Sequence, residues 1–172
     1  MSTPSRKKPR ATRRRSKSVL DDYLPYQIRL LSEAYSLGLA RELQRRFDLP
    51  LREWRILFLI GAEEPMTVTQ IAVRTVIDKG SVSRALANLT EWGYVRRRNA
   101  GATTRRATFH LNAKGWRVYR AVEPLLLARE KRLLEPLSQA ERKQLLRSVK
   151  KLLPQVWAAN AGAVDLYGDG SG

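Results

Sequence analysis

From Leu20 onward the apolar positions recur every three or four residues: Leu20, Leu24, Ile28, Leu31, Tyr35, Leu39, Leu43 and Phe47. That spacing draws one apolar stripe along one long helix, with Pro25 tolerated in its first turn. Asp48-Leu49-Pro50 interrupts it, and a second helix with Leu51, Trp54, Leu57 and Phe58 inward runs to about Gly61. After the turn Glu63-Glu64-Pro65, the order Thr67-Val68-Thr69-Gln70 is that of a capping box, in which a hydroxyl takes a free helix-end amide and a glutamine reaches back. It predicts a short helix to about Arg74. Thr75-Val76-Ile77 is a turn, and Asp78 caps a further helix that runs to Trp92 and stops at Gly93.

The period then changes from helical to alternating. Tyr94–Arg98 reads as a strand and Asn99–Thr103 as a turn. From Arg106 to Leu111 the residues Ala107, Phe109 and Leu111 share one face, and Arg106, Thr108 and His110 the other. That is a half-buried strand, so the two segments form a hairpin. Asn112 caps a long helix through Val118, Val122, Leu126, Leu133 and Leu134, with Pro124 inside it. Ser138-Gln139-Ala140-Glu141 is a second capping box, opening a last helix with Leu145, Val149, Leu152, Val156 and Trp157 on its apolar side.

The order helix, short helix, three-residue turn, helix, hairpin is a winged helix-turn-helix, whose second helix enters the DNA major groove. The fold expected is mainly α with a small β wing. At about 100° per residue, Val82, Ala85, Leu86 and Leu89 share the inner face of the helix after Asp78. Gly80, Ser83, Arg84 and Ala87 point away from it, with Ser81 and Asn88 at the flanks. Small residues beside an arginine permit close approach to base edges, and a guanidinium forks onto guanine O6 and N7.

Charge sharpens this picture. The 172 residues carry a net charge of +17. Residues 1–17 contribute +8, residues 74–117 another +8, and everything else +1. Charge of one sign confined to two segments concentrates a polyanion there. Arg96, Arg97, Arg98, Arg105 and Arg106 sit on the hairpin with no acid among them, which suits the electronegative minor groove. Residues 1–19 hold almost nothing apolar and are expected to form a disordered basic arm. The absence of cysteine and the single histidine exclude thiolate and multi-histidine metal sites. No nucleophile–base pair, carboxylate pair or phosphate loop appears, so no enzyme and no cofactor are expected. No run of 18 apolar residues exists, so no membrane span is expected, and the chain is expected in the cytoplasm, on the nucleoid when bound.

Thr67–Ala72, Asp78-Lys79-Gly80-Ser81-Val82-Ser83-Arg84, Gly93-Tyr94-Val95, Arg105-Arg106 and Leu111-Asn112-Ala113-Lys114-Gly115 together resemble the MarR family of bacterial transcriptional regulators. The resemblance covers roughly residues 20–158 and is most specific over Asp78–Arg84. Two positions depart from the family pattern: Thr104 stands where a wing aspartate orients the arginine, and Asn112 where a threonine caps the helix. The resemblance implies a homodimeric repressor of a palindromic operator on double-stranded DNA, interlocked through its first and last helices. It also implies release by a small aromatic acid or its coenzyme A thioester, bound between the dimer helices and the DNA-binding lobe.

The organisation expected is a basic arm (1–19), a winged helix-turn-helix domain (20–160) and a flexible tail (161–172). Within the domain the DNA-binding lobe covers about 51–112 and the dimerisation helices about 20–47 and 113–158. DNA is expected to meet Thr67, Thr69, Lys79, Gly80, Ser81, Ser83, Arg84, Asn88, Arg96, Arg98, Arg105 and Arg106. Tyr26, Tyr35, Trp54 and Phe58 are candidates to line an effector pocket, although plain core packing accounts for such aromatics more often. His110 is expected beside a phosphate or at the surface. A different class of function, a nucleoid-type or RNA-associated basic protein without sequence preference, would have no need of Gly80, Ser81, Ser83 and Arg84 at groove-reading positions.

Overall fold

The computed structural model describes residues 19–99 and 107–160. The expected arm up to Ser18, the wing tip with Thr104, Arg105 and Arg106, and the tail from 161 lie outside the described residues. The elements run α1 (Val19–Asp22), α2 (Leu24–Phe47), α3 (Leu51–Glu63), α4 (Val68–Thr75), α5 (Lys79–Glu91), β1 (Val95–Arg98), β2 (Thr108–Leu111), α6 (Ala113–Leu133) and α7 (Gln139–Asn160). Residues up to Leu39 form one compact unit and those from Ala40 another.

In the first unit the single helix expected from Leu20 is broken at Tyr23. Proline has no N–H to give to the carbonyl four residues back, so an unbroken helix would strand the Asp21 carbonyl. The chain instead restarts, with Pro25 in the first turn of α2 and the Tyr23 carbonyl accepting from Tyr26 and Gln27 at 3.0 and 3.2 Å. The Gln27 side chain donates to the freed carbonyls of Leu20 and Asp21 at 2.9 and 3.3 Å. The apolar period runs through the break unchanged, which is why the spacing did not reveal it.

In the second unit α3, α4 and α5 pack around one apolar centre. Trp54, Ile56, Leu57 and Ile60 of α3 meet Ile71 and Ala72 of α4 and Val82, Ala85, Leu86 and Leu89 of α5, all buried. The inner face expected for α5 is the buried one. Phe58, expected inward, is 38% exposed, because Ile56 and Ile60 take the side of α3 that faces the core. The hairpin closes this centre from below. Val95 pairs with Leu111 and Arg97 with Phe109 in an antiparallel register, and Met66 joins Phe109 as a bridge. Ala107, Phe109 and Leu111 are buried, as their alternation predicts.

The helices after the wing are different. Of α6 only Gly115 and Val122 are buried, and of α7 none of residues 139–158. Leu145, Leu146, Val149, Leu152, Leu153 and Val156 of α7 are all exposed.

Candidate nucleic-acid interface

The candidate surface is built by two helix starts and one strand. Thr67 caps α4 by the full capping box: the Gln70 N–H donates to the Thr67 hydroxyl at 3.3 Å, and the Thr67 N–H to the Gln70 side-chain Oε1 at 2.8 Å. Thr67 is thereby held at the front edge of α4, with Thr69 exposed beside it. The turn to α5 is made by Val76, whose φ of 56° is left-handed and whose N–H returns to the Ala72 carbonyl. This one residue reverses the chain between the two helices of the motif.

Asp78 caps α5, accepting from the Ser81 N–H at 2.8 Å. That backbone donor, then the Ser81 side chain and the charge of Arg84, hold its carboxyl below the usual aspartate range. Arg84 lies back along the first turn and donates to the Ser81 hydroxyl at 2.8 Å. A Cβ at Gly80 would stand 3.3 Å from the Asp78 carboxylate and 3.5 Å from the Arg84 guanidinium. The first is tight and the second is ordinary contact, so a side chain here would press on the Asp78 cap and not on the guanidinium. Gly80, Ser83, Arg84 and Ala87 are exposed along one side of the helix, while Lys79 and Ser81 are half-buried. Free amides at a helix start, two hydroxyls and a guanidinium make a surface of donors, and donors recognise phosphate oxygens and the acceptor edge of guanine.

Asn88 behaves differently from the expectation that it meets DNA. It is half-buried, and its amide turns inward to donate to the Glu53 carboxylate at 3.1 Å. Glu53 itself was not foreseen as part of the site, since an acid in a helix is ordinarily read as solvent-facing.

Between α4, α5 and the wing lies a cleft of about 720 Å³, lined by Thr67, Thr69, Ser83, Thr90, Arg97 and Phe109 among others. Arg97 sits opposite Phe109 in the register, so it shares the side of the hairpin that faces the helices. Arg96 and Arg98, opposite His110 and Thr108, project from the other side. All three arginines are exposed. Arg97 was thus missed as a cleft residue: a run of identical side chains carries no alternation, and only the buried Val95 sets its phase. His110 is half-buried, with Nε2 3.2 Å from the Thr108 hydroxyl and Nδ1 4.0 Å from Glu64.

The far end of α5 is held by the start of α6. Asn112 donates to the Gly93 carbonyl at 2.7 Å and Lys114 to the Trp92 carbonyl at 2.6 Å, with the ammonium 4.6 Å from the centre of the Tyr94 ring. Gly93, at φ 69°, turns the chain from α5 into β1.

Tyr26 and Tyr35 belong to the first unit, and Trp54 and Phe58 to the second. Trp54, Phe58, Trp116 and Tyr119 pack ring against ring, Phe58 stacking on Tyr119 at 5.5 Å and 9°. In Trp54 and Phe58 the rings fill one another's space. Among the described residues no group of three His, Asp or Glu could hold a metal ion, and no helix is long and apolar enough to cross a membrane.

A model of the MarR family matches residues 47–107, the segment that contains α3, α4, α5 and β1. An uncharacterised helix-turn-helix transcriptional regulator from Bacillus cereus is 32% identical over 60 residues, 35% of this chain. The match spans 41% of that relative's length. The MarR/EmrR-family regulator from Acinetobacter sp. ADP1 superposes with a TM-score of 0.73 at 28% identity, covering 80% of this chain and 96% of that one. The MepR–DNA complex of S. aureus has a similar fold, with a TM-score of 0.68 at 23% identity over 77% of this chain and 97% of that one. The fold is that of winged-helix MarR transcriptional regulators.

Proposed function

We propose, from a chain whose residues 47–107 match a model of the MarR family, that the protein is a homodimeric, sequence-specific repressor acting on a palindromic operator. The observation that carries this reading is the outer side of α5. Asp78 orders its first turn, Gly80 adds no side chain to it, and Arg84 and Ser83 stand exposed on it. With α5 in the major groove, Arg84 exchanges the Ser81 hydroxyl for a guanine edge. Thr67, Thr69, Lys79 and Ser81 take phosphates at the two helix starts. Arg97 closes on the backbone from the cleft, while Arg96, Arg98, Arg105 and Arg106 serve the adjacent minor groove.

The second copy follows from the helices behind the wing. Six large apolar side chains of α7 are exposed, with Leu127 and Leu133 of α6 and Leu24, Ile28 and Leu31 of α2. Six apolar side chains exposed on a single helix, as on α7, are covered by a partner. A two-fold partner brings two copies of α5 to half-sites about one helical turn apart. A small aromatic acid or its coenzyme A thioester is proposed as the releasing ligand on the family resemblance. Phe58, exposed at the edge of its ring stack, is the side chain best placed to meet it. The protein needs no cofactor for this role, is no enzyme, and works in the cytoplasm.

Selection of duplexes from a random pool by the full chain, followed by footprinting, tests the reading. A recovered palindrome protected over both half-sites is expected. A pool that stays random after selection would instead favour a basic protein that binds without sequence preference.

A further inference from the structure

Glu53 is buried to 1% exposure in the first turn of α3. One carboxylate oxygen accepts from the Asn88 amide and from Arg52, each at 3.1 Å. The other oxygen is buried with no hydrogen-bond partner. A buried carboxylate with half its acceptors idle is costly, and an apolar residue of similar volume commonly serves stability as well or better. Burial for stability is therefore a poor account of this residue.

The geometry around it supplies a better one. The other buried side chains of the two touching helices are apolar: Trp54, Ile56, Leu57 and Ile60 of α3, and Val82, Ala85, Leu86 and Leu89 of α5. Apolar contact is non-directional, so keeping the apolar stripe inward sets the rotation of a helix about its own axis only coarsely. A hydrogen bond is directional. Asn88 stands one turn beyond Arg84 on α5, so whatever fixes the direction of Asn88 fixes the direction of Arg84. At roughly 6 Å from the helix axis, a rotation of about 20° displaces a side chain by about 2 Å. A bidentate contact to a base does not survive such a shift.

We infer that Glu53 is a positioning residue: through Asn88 it sets the rotation of α5, and with it the base preference of Arg84, without touching DNA. This rests on the reading of α5 as the groove-reading helix.

The test uses the full chain, a duplex recovered by selection from a random pool with the wild-type protein, and a scrambled duplex of equal length. The readout is the ratio of the two affinities, with a thermal melt of each variant alongside. Glu53→Leu and Asn88→Ala are each expected to lower the ratio about tenfold, within the range one guanine contact supplies. The double variant should lose no more than either single one. Glu53→Gln, whose carbonyl still accepts from Asn88, should keep the wild-type ratio. In an Arg84→Ala background, Glu53→Leu should change nothing further. Should Glu53→Leu fail to fold, Asn88→Ala at its half-buried site carries the same comparison. A ratio unmoved by Asn88→Ala and Glu53→Leu, or one that falls equally with and without Arg84, overturns the inference and leaves the reading of α5 intact. A wild-type protein that does not distinguish the two duplexes overturns both.

Discussion

Adding one methyl group at Gly115 separates two opposite expectations. Gly115 is the third residue of α6, where alanine is the better helix former by about 1 kcal/mol. On helix propensity alone Gly115→Ala should therefore stabilise the protein. The packing says otherwise. A Cβ on Gly115 would lie 2.1 Å from the carbonyl oxygen of Tyr94, and real Cβ atoms essentially never come within 3.0 Å. The start of α6 must then back away from the α5–β1 turn by about 0.9 Å. That turn is where the Asn112 N–H meets Tyr94 at 3.1 Å, the Asn112 side chain meets Gly93, and Lys114 meets Trp92. Backbone cannot swing aside as the end of a long side chain can. Overpacking of this kind costs about 1–3 kcal/mol, and each lost hydrogen bond about 1 more. Gly115→Ala should lower stability by about 2–3 kcal/mol after the propensity gain is deducted. Urea denaturation followed by circular dichroism measures it, with the slope against urea checked for constancy. An alanine variant as stable as the parent would refute the close approach of α6 to the end of α5.

Val76 occupies a left-handed backbone position that costs a β-branched residue about 1–2 kcal/mol, so Val76→Gly should raise the urea midpoint despite glycine's larger unfolded-state entropy. Val149 is exposed on the apolar side of α7, and Val149→Asp should shift a sedimentation profile from dimer toward monomer. A wild-type chain that sediments as a folded monomer would remove the proposed interface. The Asp78 carboxyl is held below its usual range, so its contribution to stability is present above the unfolded-state value near 4 and is lost as pH falls through its lower folded value. Asp78→Asn should flatten the dependence of stability on pH in that acid window, and an unchanged slope would place the cap elsewhere.

What could be read from the chain alone divides along physical lines. Local chemistry was legible: the Thr67 and Ser138 capping boxes, the Asp78 cap, the Gly93 stop and the alternation from Ala107 to Leu111 each involve residues within four positions of one another. The inner face of α5 was legible because apolar and polar side chains differ sharply there. Contrast fails elsewhere. Arg96, Arg97 and Arg98 are identical, so the side of the hairpin each takes depends on pairing with residues 108–110. Asn88 finds Glu53 at a separation of 35 residues, and no pattern in either segment announces the other. Phe58 has the spacing of a core residue yet sits at the edge, since α3 has more apolar positions than its packed side can hold. The break at Tyr23 needed the missing N–H of Pro25 to be weighed against an intact period.

The central claim is that α5 reads bases through Arg84, and one comparison tests it most directly. The affinities of the wild-type chain and of Arg84→Ala are measured at one salt concentration, on the duplex recovered by selection and on a scrambled one. A guanine contact predicts a loss of about 1–3 kcal/mol on the selected duplex and almost none on the scrambled duplex. Equal losses on both would contradict the account, because they would mean that Arg84 touches phosphate alone.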